Sequence, residues 1–118
     1  MPDSSLHTSA DFSAGHAVVA VHCESVTERE ARIISDEVGT YAADAAHRVA
    51  LDLEQVHMLA SAGIGAIITI HKNCQKAKGK LVVFNLRPEL LQLLKMTKLH
   101  KLFTIADCRD KALKALGK

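Results

Sequence analysis

Val49-Ala-Leu-Asp-Leu-Glu-Gln-Val-His-Met-Leu-Ala-Ser-Ala-Gly-Ile-Gly65 is the stretch that decides how this chain folds. Val49–Leu53 is an apolar run that reads as a strand at or near the centre of a sheet. Within a few residues the pattern becomes a small-residue turn, Ala60-Ser61-Ala62-Gly63, and then helical. One hydroxyl, that of Ser61, is thereby presented at a strand-to-helix junction. A helix start has backbone N–H groups with no intrahelical partner and carries the positive end of the helix dipole. Such a place tolerates a phosphate. A serine there can serve as a switch or simply as the helix N-cap, and no catalytic machinery accompanies it.

Outward from that segment, strands and helices alternate. His16–His22 alternates loosely around Val18, Val19 and Val21 and reads as a strand, with Ser13-Ala14-Gly15 as the turn before it. Thr27-Glu28-Arg29-Glu30 has the spacing of a capping box. The helix after it sets Ala31, Ile34, Val38, Tyr41, Ala42 and Ala45 on one stripe, with Arg32, Asp36, Thr40 and Asp44 on the wet side. Gly39 weakens the middle of that helix by roughly 1 kcal/mol against Ala. Ile64 is expected to open a second helix running to about Lys78. Its inner stripe is Gly63, Ile64, Ile67, Ile70, Cys74 and Ala77. Thr69, Lys72, Asn73 and Lys76 face water, and Gly79 is the stop. Lys80–Asn85 is a further strand, and Pro88 opens a third helix that ends near Met96. Leu102–Ile105 is a short strand, and Asp107 caps a last helix reaching Leu116. This order predicts a single α/β domain over residues 1–118. Its mixed sheet has four or five strands and about four helices, packed mainly on one side after residue 60. Residues 1–14 are expected to be poorly ordered or an edge strand.

Composition narrows the function classes. The chain has 118 residues, no Trp, one Tyr and three Phe, so its core is aliphatic and it lacks stacking platforms for single-stranded nucleic acid. No apolar stretch approaches the length of a membrane span, and Met1–Ser13 lacks the layout of a signal peptide. Three scattered cysteines, Cys23, Cys74 and Cys108, argue for reduced thiols in the cytoplasm. The net charge is only +2, yet residues 1–60 hold ten acidic and three basic side chains and residues 61–118 hold three acidic and twelve basic. Solvated surfaces mixed in space by the fold are the first reading of that split. A face for a charged protein partner comes second, and nucleic acid third.

Several quoted stretches together resemble the STAS domain, and most closely the bacterial anti-sigma factor antagonists. Ala60-Ser61-Ala62-Gly63-Ile64-Gly65 is similar to the family's Asp-Ser-Ser/Ala-Gly-Leu-Gly, and Val49-Ala-Leu-Asp-Leu53 to its V-x-L-D-L strand. Ala77-Lys-Gly-Lys-Leu-Val-Val83 resembles the return strand, and Leu94-Lys-Met-Thr-Lys-Leu-His-Lys-Leu-Phe103 the L-x-x-T-G-L-x-x-x-F run. The likeness spans roughly residues 16 to 116. It implies that Ser61 is a phosphoacceptor, modified by an anti-sigma factor with a GHKL-type kinase fold and restored by a PP2C-type phosphatase. It also implies that the unmodified form binds the anti-sigma factor through a surface framed by Ala60, Ser61, Ala62, Gly63, Ile64 and Gly65. No cofactor, metal, direct nucleic-acid contact or enzymatic activity is implied. The chain departs from the pattern at Ala60, where the family has an acid. It departs again at Lys98, where the family has glycine and a positive φ would carry a side chain, and at Cys23-Glu24-Ser25-Val26 in place of an early G-x-L/I-D segment.

Other readings are weaker. A STAS scaffold that works without phosphorylation, in a stressosome-like assembly or a transport complex, is the main alternative. A small-ligand or nucleotide binder is the third. Gly63-Ile-Gly65 lacks the third glycine of a dinucleotide loop, since residue 68 is Ile, and Asn85 replaces the acid that ends the next strand. His71 with Cys74, and His22 beside Cys23, lack the paired spacing of metal ligands. Ser61, His57 and Asp52 lack a nucleophile elbow. Lys95, Lys98, His100 and Lys101 read as a solvated loop and helix end, with a partner contact as the rival.

Overall fold

The computed structural model describes residues 8–13 and 15–116. The strands are β1 (Thr8–Ser13), β2 (His16–Val21), β3 (Ser25–Val26), β4 (Arg48–Asp52), β5 (Met58–Leu59), β6 (Lys80–Phe84) and β7 (Thr104–Ala106). The helices are α1 (Glu28–Ala43), α2 (Ser61–Lys76), α3 (Pro88–Met96) and α4 (Arg109–Ala115), with a short 3-10 turn at Leu99–Lys101. The main sheet runs β1-β2-β4-β6-β7, which puts the Val49-Ala50-Leu51 run in its middle strand. β1 pairs antiparallel with β2, and every other neighbour in that sheet is parallel. β3 and β5 form a separate two-residue parallel ribbon, Ser25 opposite Met58 and Val26 opposite Leu59.

From β2 to β7 the chain advances one strand at a time in a single direction. Right-handed crossovers therefore lay α1, α2 and α3 on the same face. Alternate residues of the central strands supply that face: Val49 and Leu51 from β4, Leu81 and Val83 from β6, Val19 and Val21 from β2. The residues between them, Val18, Ala50, Val82 and Phe84, meet Ala112 and Leu116 under α4 on the other face. A strand covered on both sides reads as a continuous apolar run, which is why Val49–Leu51 and Leu81–Phe84 carry no polar alternation. α1 buries Ala31, Ile34, Val38, Tyr41 and Ala42 as its spacing predicts. Its start is fixed by Glu30, whose carboxylate accepts the Thr27 N–H at 3.1 Å. The side-chain hydroxyl of Thr27 donates to the same carboxylate, and these bonds hold the Glu30 carboxyl below its ordinary pKa. The edge strand β1 is tied to α1 by Thr8, whose hydroxyl donates to Glu37 at 2.5 Å, and by Phe12 against Tyr41 with ring centroids 6.4 Å apart.

The differences from the sequence reading lie at element ends. α2 begins at Ser61, not Ile64: the Ala60 carbonyl accepts the Ile64 N–H at 3.1 Å, so Ser61, Ala62 and Gly63 complete a helical turn despite their weak propensity. Its inner stripe holds Gly63, Ile67, Ile70, His71 and Cys74, whereas Ile64 is half-buried. Ala77 is exposed, because the helix has already ended and Ala77 is its cap residue. β7 starts at Thr104, since residues 99–101 are spent on the 3-10 turn. The last helix is capped by Cys108, one residue after Asp107. In the turn expected at Ser13-Ala14-Gly15, Ala14 lies outside the described residues, and Gly15 has φ +82°.

Gly79 acts differently from the stop residue expected of it. Lys78 is the left-handed residue after α2, at φ +63°. The Lys78 N–H reaches the Gln75 carbonyl at 3.0 Å and the Gly79 N–H the Cys74 carbonyl at 2.7 Å, the paired bonds of a Schellman ending. Gly79 is required by crowding: a Cβ there would lie 1.9 Å from the His47 carbonyl oxygen. That same oxygen accepts the Lys80 N–H at 2.9 Å and aligns β6 beside β4. Lys98, the position where a glycine was expected, does adopt φ +63°.

Gly79→Ala is expected to lower unfolding free energy by about 3 kcal/mol or more, because backbone must move to admit the methyl. Lys98→Gly should raise it by roughly 0.5–1 kcal/mol by relieving a left-handed side-chain residue. Urea unfolding of the two variants beside the parent checks both signs. A second expectation concerns His71. Both its ring nitrogens are buried with no partner among the described residues, and its ring meets Phe103 edge-on at 5.7 Å. Burial first, and then the nearby Lys72 cation, depress its pKa from the ordinary 6.5. The unfolded chain therefore takes up a proton before the folded one does. Stability should be full above about pH 6.5 and fall as pH drops below it, by up to about 1.4 kcal/mol per pH unit for this one group. His71→Gln should flatten that part of the curve in urea titrations at stepped pH.

Candidate functional site

Ser61 is the first residue of α2 and is exposed. The tip of the helix is held in place by the small β3–β5 ribbon. The Ala60 N–H donates to the Val26 carbonyl at 2.9 Å, and the His57 and Met58 N–H groups converge on the Glu24 carbonyl at 2.8 and 3.0 Å. Gly63 makes this seating possible. It is buried, and a Cβ there would stand 2.9 Å from the Val26 carbonyl oxygen and 3.1 Å from a methyl of Leu59. Gly65, one turn further along the exposed side, is different: a Cβ there would meet nothing within 4 Å. Gly63 thus lets the helix approach the ribbon, while Gly65 leaves open surface beside the hydroxyl.

Ala60 is the N-cap residue, with extended backbone at φ −74° and ψ 171°. Its methyl offers no acceptor to the first turn, and no acidic side chain lies in that turn. The helical ladder begins with the Ile64 N–H on the Ala60 carbonyl. The N–H groups of Ser61, Ala62 and Gly63 precede it and keep the positive end of the helix dipole uncompensated. A phosphate on Ser61 would find donors and favourable charge there, so modification is compatible with the fold.

Around this tip the six residues singled out from sequence divide by exposure. Ser61 is exposed; Ala60, Ala62, Ile64 and Gly65 are half-buried; Gly63 is buried. Met58 joins them as a neighbour that sequence reading did not single out, with 48% of its surface exposed. It was not legible because β3 and β5 are two residues each, too short for a period-two pattern to register. The Cys23–Val26 segment, which the sequence marked as an unusual loop, supplies one half of that ribbon.

The rival constellations are used structurally. Asp52 accepts the Glu54 N–H at 3.0 Å and the Asn85 side-chain amide at 3.3 Å, closing the turn after β4. His57 is exposed on the approach to β5. His22 bridges Ser9, at 2.8 Å from Nε2, and Gln55, at 3.0 Å from Nδ1, and so pins β1 to the loop after β4. Cys74 is buried in the α2 stripe, and burial pushes its thiol up to about 11, so it remains a neutral packing group. Among the described residues no three His, Cys, Asp or Glu side chains converge as metal ligands. No described helix is long and apolar enough to cross a membrane.

Comparison with known proteins agrees with this architecture. The STAS domain family matches residues 9–112. A segment of 65 residues is 28% identical to BtrV of Bordetella bronchiseptica, named as a candidate anti-sigma factor antagonist; it covers 55% of this chain and 56% of that protein. The chain thus aligns with only about half the length of that relative. The crystal structure of an anti-sigma factor antagonist from Mycobacterium paratuberculosis superposes with a TM-score of 0.81 at 24% identity, covering 100% of this chain and 98% of the other. SpoIIAA from Bacillus in its phosphorylated form gives a TM-score of 0.68 at 13% identity, covering 92% of this chain and 97% of that one. Its unphosphorylated form gives 0.67 at 12%, covering 92% and 94%.

The empty cap at residue 60 has a measurable consequence. Ala60→Asp should stabilise the fold by about 1 kcal/mol, because its carboxylate would accept from the first-turn N–H groups and complement the dipole. For a domain of this size that corresponds to a rise in Tm of roughly 4 °C by thermal unfolding.

Proposed function

The chain belongs to the STAS domain family, and on that premise we propose that it is an anti-sigma factor antagonist switched by phosphorylation of Ser61. In this reading an anti-sigma factor with a GHKL-type kinase fold docks on the tip of α2, around Ala60, Ala62, Gly63, Ile64 and Gly65. That partner phosphorylates Ser61, and a PP2C-type phosphatase reverses the step. The unmodified protein holds the anti-sigma factor and thereby frees a sigma factor in the bacterial cytoplasm. The protein works by binding and is a substrate, not a catalyst.

The observation that carries this reading is an exposed serine at the first position of α2, beside first-turn N–H groups that no side chain caps. Phosphorylation adds about −1.5 to −2 charges and three acceptor oxygens. The helix start accommodates that charge internally, so the switch operates at the interface. A phosphate pressed against a partner costs desolvation and repulsion, and each 1.4 kcal/mol or so is a tenfold loss of affinity. The open surface at Gly65 and the exposed Met58 give a partner backbone and apolar area to cover on either side of the hydroxyl. SpoIIAA, whose fold this chain shares, has structures in both its phosphorylated and its unphosphorylated form, which supports the same switch here.

The test is incubation with the cognate kinase and Mg-ATP, followed by intact-mass analysis and calorimetric titration. The expected result is a gain of one phosphoryl group, lost in Ser61→Ala, with affinity for the partner falling at least tenfold on modification. Met58→Asp should weaken the unmodified complex by about tenfold or more without altering the fold. A Ser61→Ala protein that keeps every partner and every response to signal would establish instead a scaffold that works without phosphorylation.

A further inference from the structure

The charge imbalance between the two halves of the sequence has a spatial meaning. Strands β2, β4, β6 and β7 are parallel, so each helix that follows one starts at the same end of the sheet and finishes at the other. Ser61 lies at the starting end. The finishing end collects the last turns of α2, α3 and α4 together with the first residues of β4 and β6. Contacts across it show the gathering: the Lys80 N–H donates to the His47 carbonyl at 2.9 Å, and the Lys80 ammonium to the Ala115 carbonyl at 3.0 Å.

Lys76, Lys78, Lys95, Lys98, Lys101 and Lys114 sit at this end, and all are exposed. Among the described residues the opposing acid is Asp44, at the close of α1. Among the described residues none of the six ammonium groups takes part in an ion pair. Beside three of these lysines, two large apolar side chains stand in water: Met96 with 74% of its surface exposed and Leu102 with 42%. Complementing the helix dipole explains a cation in the last turns of α2, α3 and α4. It does not explain the apolar pair set among Lys95, Lys98 and Lys101.

We propose that this end of the molecule docks on an anionic lipid bilayer, with the lysines against headgroup phosphates and Met96 and Leu102 in the boundary between headgroups and acyl chains. Point-charge ammonium groups around exposed apolar anchors are the chemistry of such a surface. Nucleic acid is a poorer fit. Among the described residues the arginine fork that reads base edges is represented at this end only by half-buried Arg48, the first residue of β4, and no aromatic stacking platform accompanies the lysines there. The site lies at the opposite end from Ser61, so a docked molecule would keep α2's tip facing the solution. The proposal is independent of whether Ser61 is modified.

The experiment is co-sedimentation of the full chain with vesicles of phosphatidylcholine alone and with about a third phosphatidylglycerol, at about 0.1 M salt. Binding is expected only to the anionic vesicles, and it should weaken as salt rises. Each lysine near such a surface is worth roughly fivefold. The Lys95→Glu/Lys98→Glu/Lys101→Glu variant should therefore lose about a hundredfold in partitioning or more. Lys111→Glu, near the start of α4 at the other end, should change little. Met96→Ser/Leu102→Ser should reduce binding several-fold and leave circular dichroism unchanged. Equal binding to neutral vesicles, no binding to anionic ones, or an unaltered triple variant would overturn the proposal. So would tighter binding to a DNA duplex that is indifferent to Met96 and Leu102.

Discussion

A parallel sheet that advances in one direction compels its crossover helices to point the same way, and most of this molecule's chemistry follows from that constraint. With β2, β4, β6 and β7 parallel and adjacent in that order, the N-termini of the helices gather at one end and their C-termini at the other. The exposed serine, the uncapped amides and the β3–β5 ribbon belong to the first end. Lys76, Lys78, Lys95, Lys98, Lys101 and Lys114 belong to the second. Acids in the first turns of α1, α3 and α4, and bases in the last turns of α2, α3 and α4, are thereby sorted to opposite ends of the sheet.

At the serine pole, two small residues do separate work. Gly63 gives up its side chain so that the helix can lie close against the Val26 carbonyl and Leu59. Ala60 gives up the acceptor that a cap would normally hold, leaving the first-turn N–H groups without a side-chain partner. A stronger cap would make a more stable helix and a less receptive anion site.

The turns at the opposite end show a different compromise. Ala46, His47, Lys78 and Lys98 hold positive φ with side chains attached, at some cost to stability. At Lys98 that cost was foreseeable, because the similar family run has glycine there. At Lys78 it was not: the sequence offered Gly79 as the natural left-handed residue. The glycine was already committed to passing within reach of the His47 carbonyl. A local rule about helix ends was displaced by a contact between segments far apart in the chain.

Strand and helix order, the central place of Val49–Leu51, the buried stripe of α1 and the junction that presents Ser61 were all legible in the residues, because hydrophobic period and small-residue turns are local signals. The start of α2, the two-residue ribbon beneath it, the burial of His71 against Phe103 and the gathering of lysines at one pole were not. Each of these depends on which distant backbone lies alongside, and no window of sequence holds that information. Composition told how many charges the chain carries; only the direction of the sheet decided where they meet.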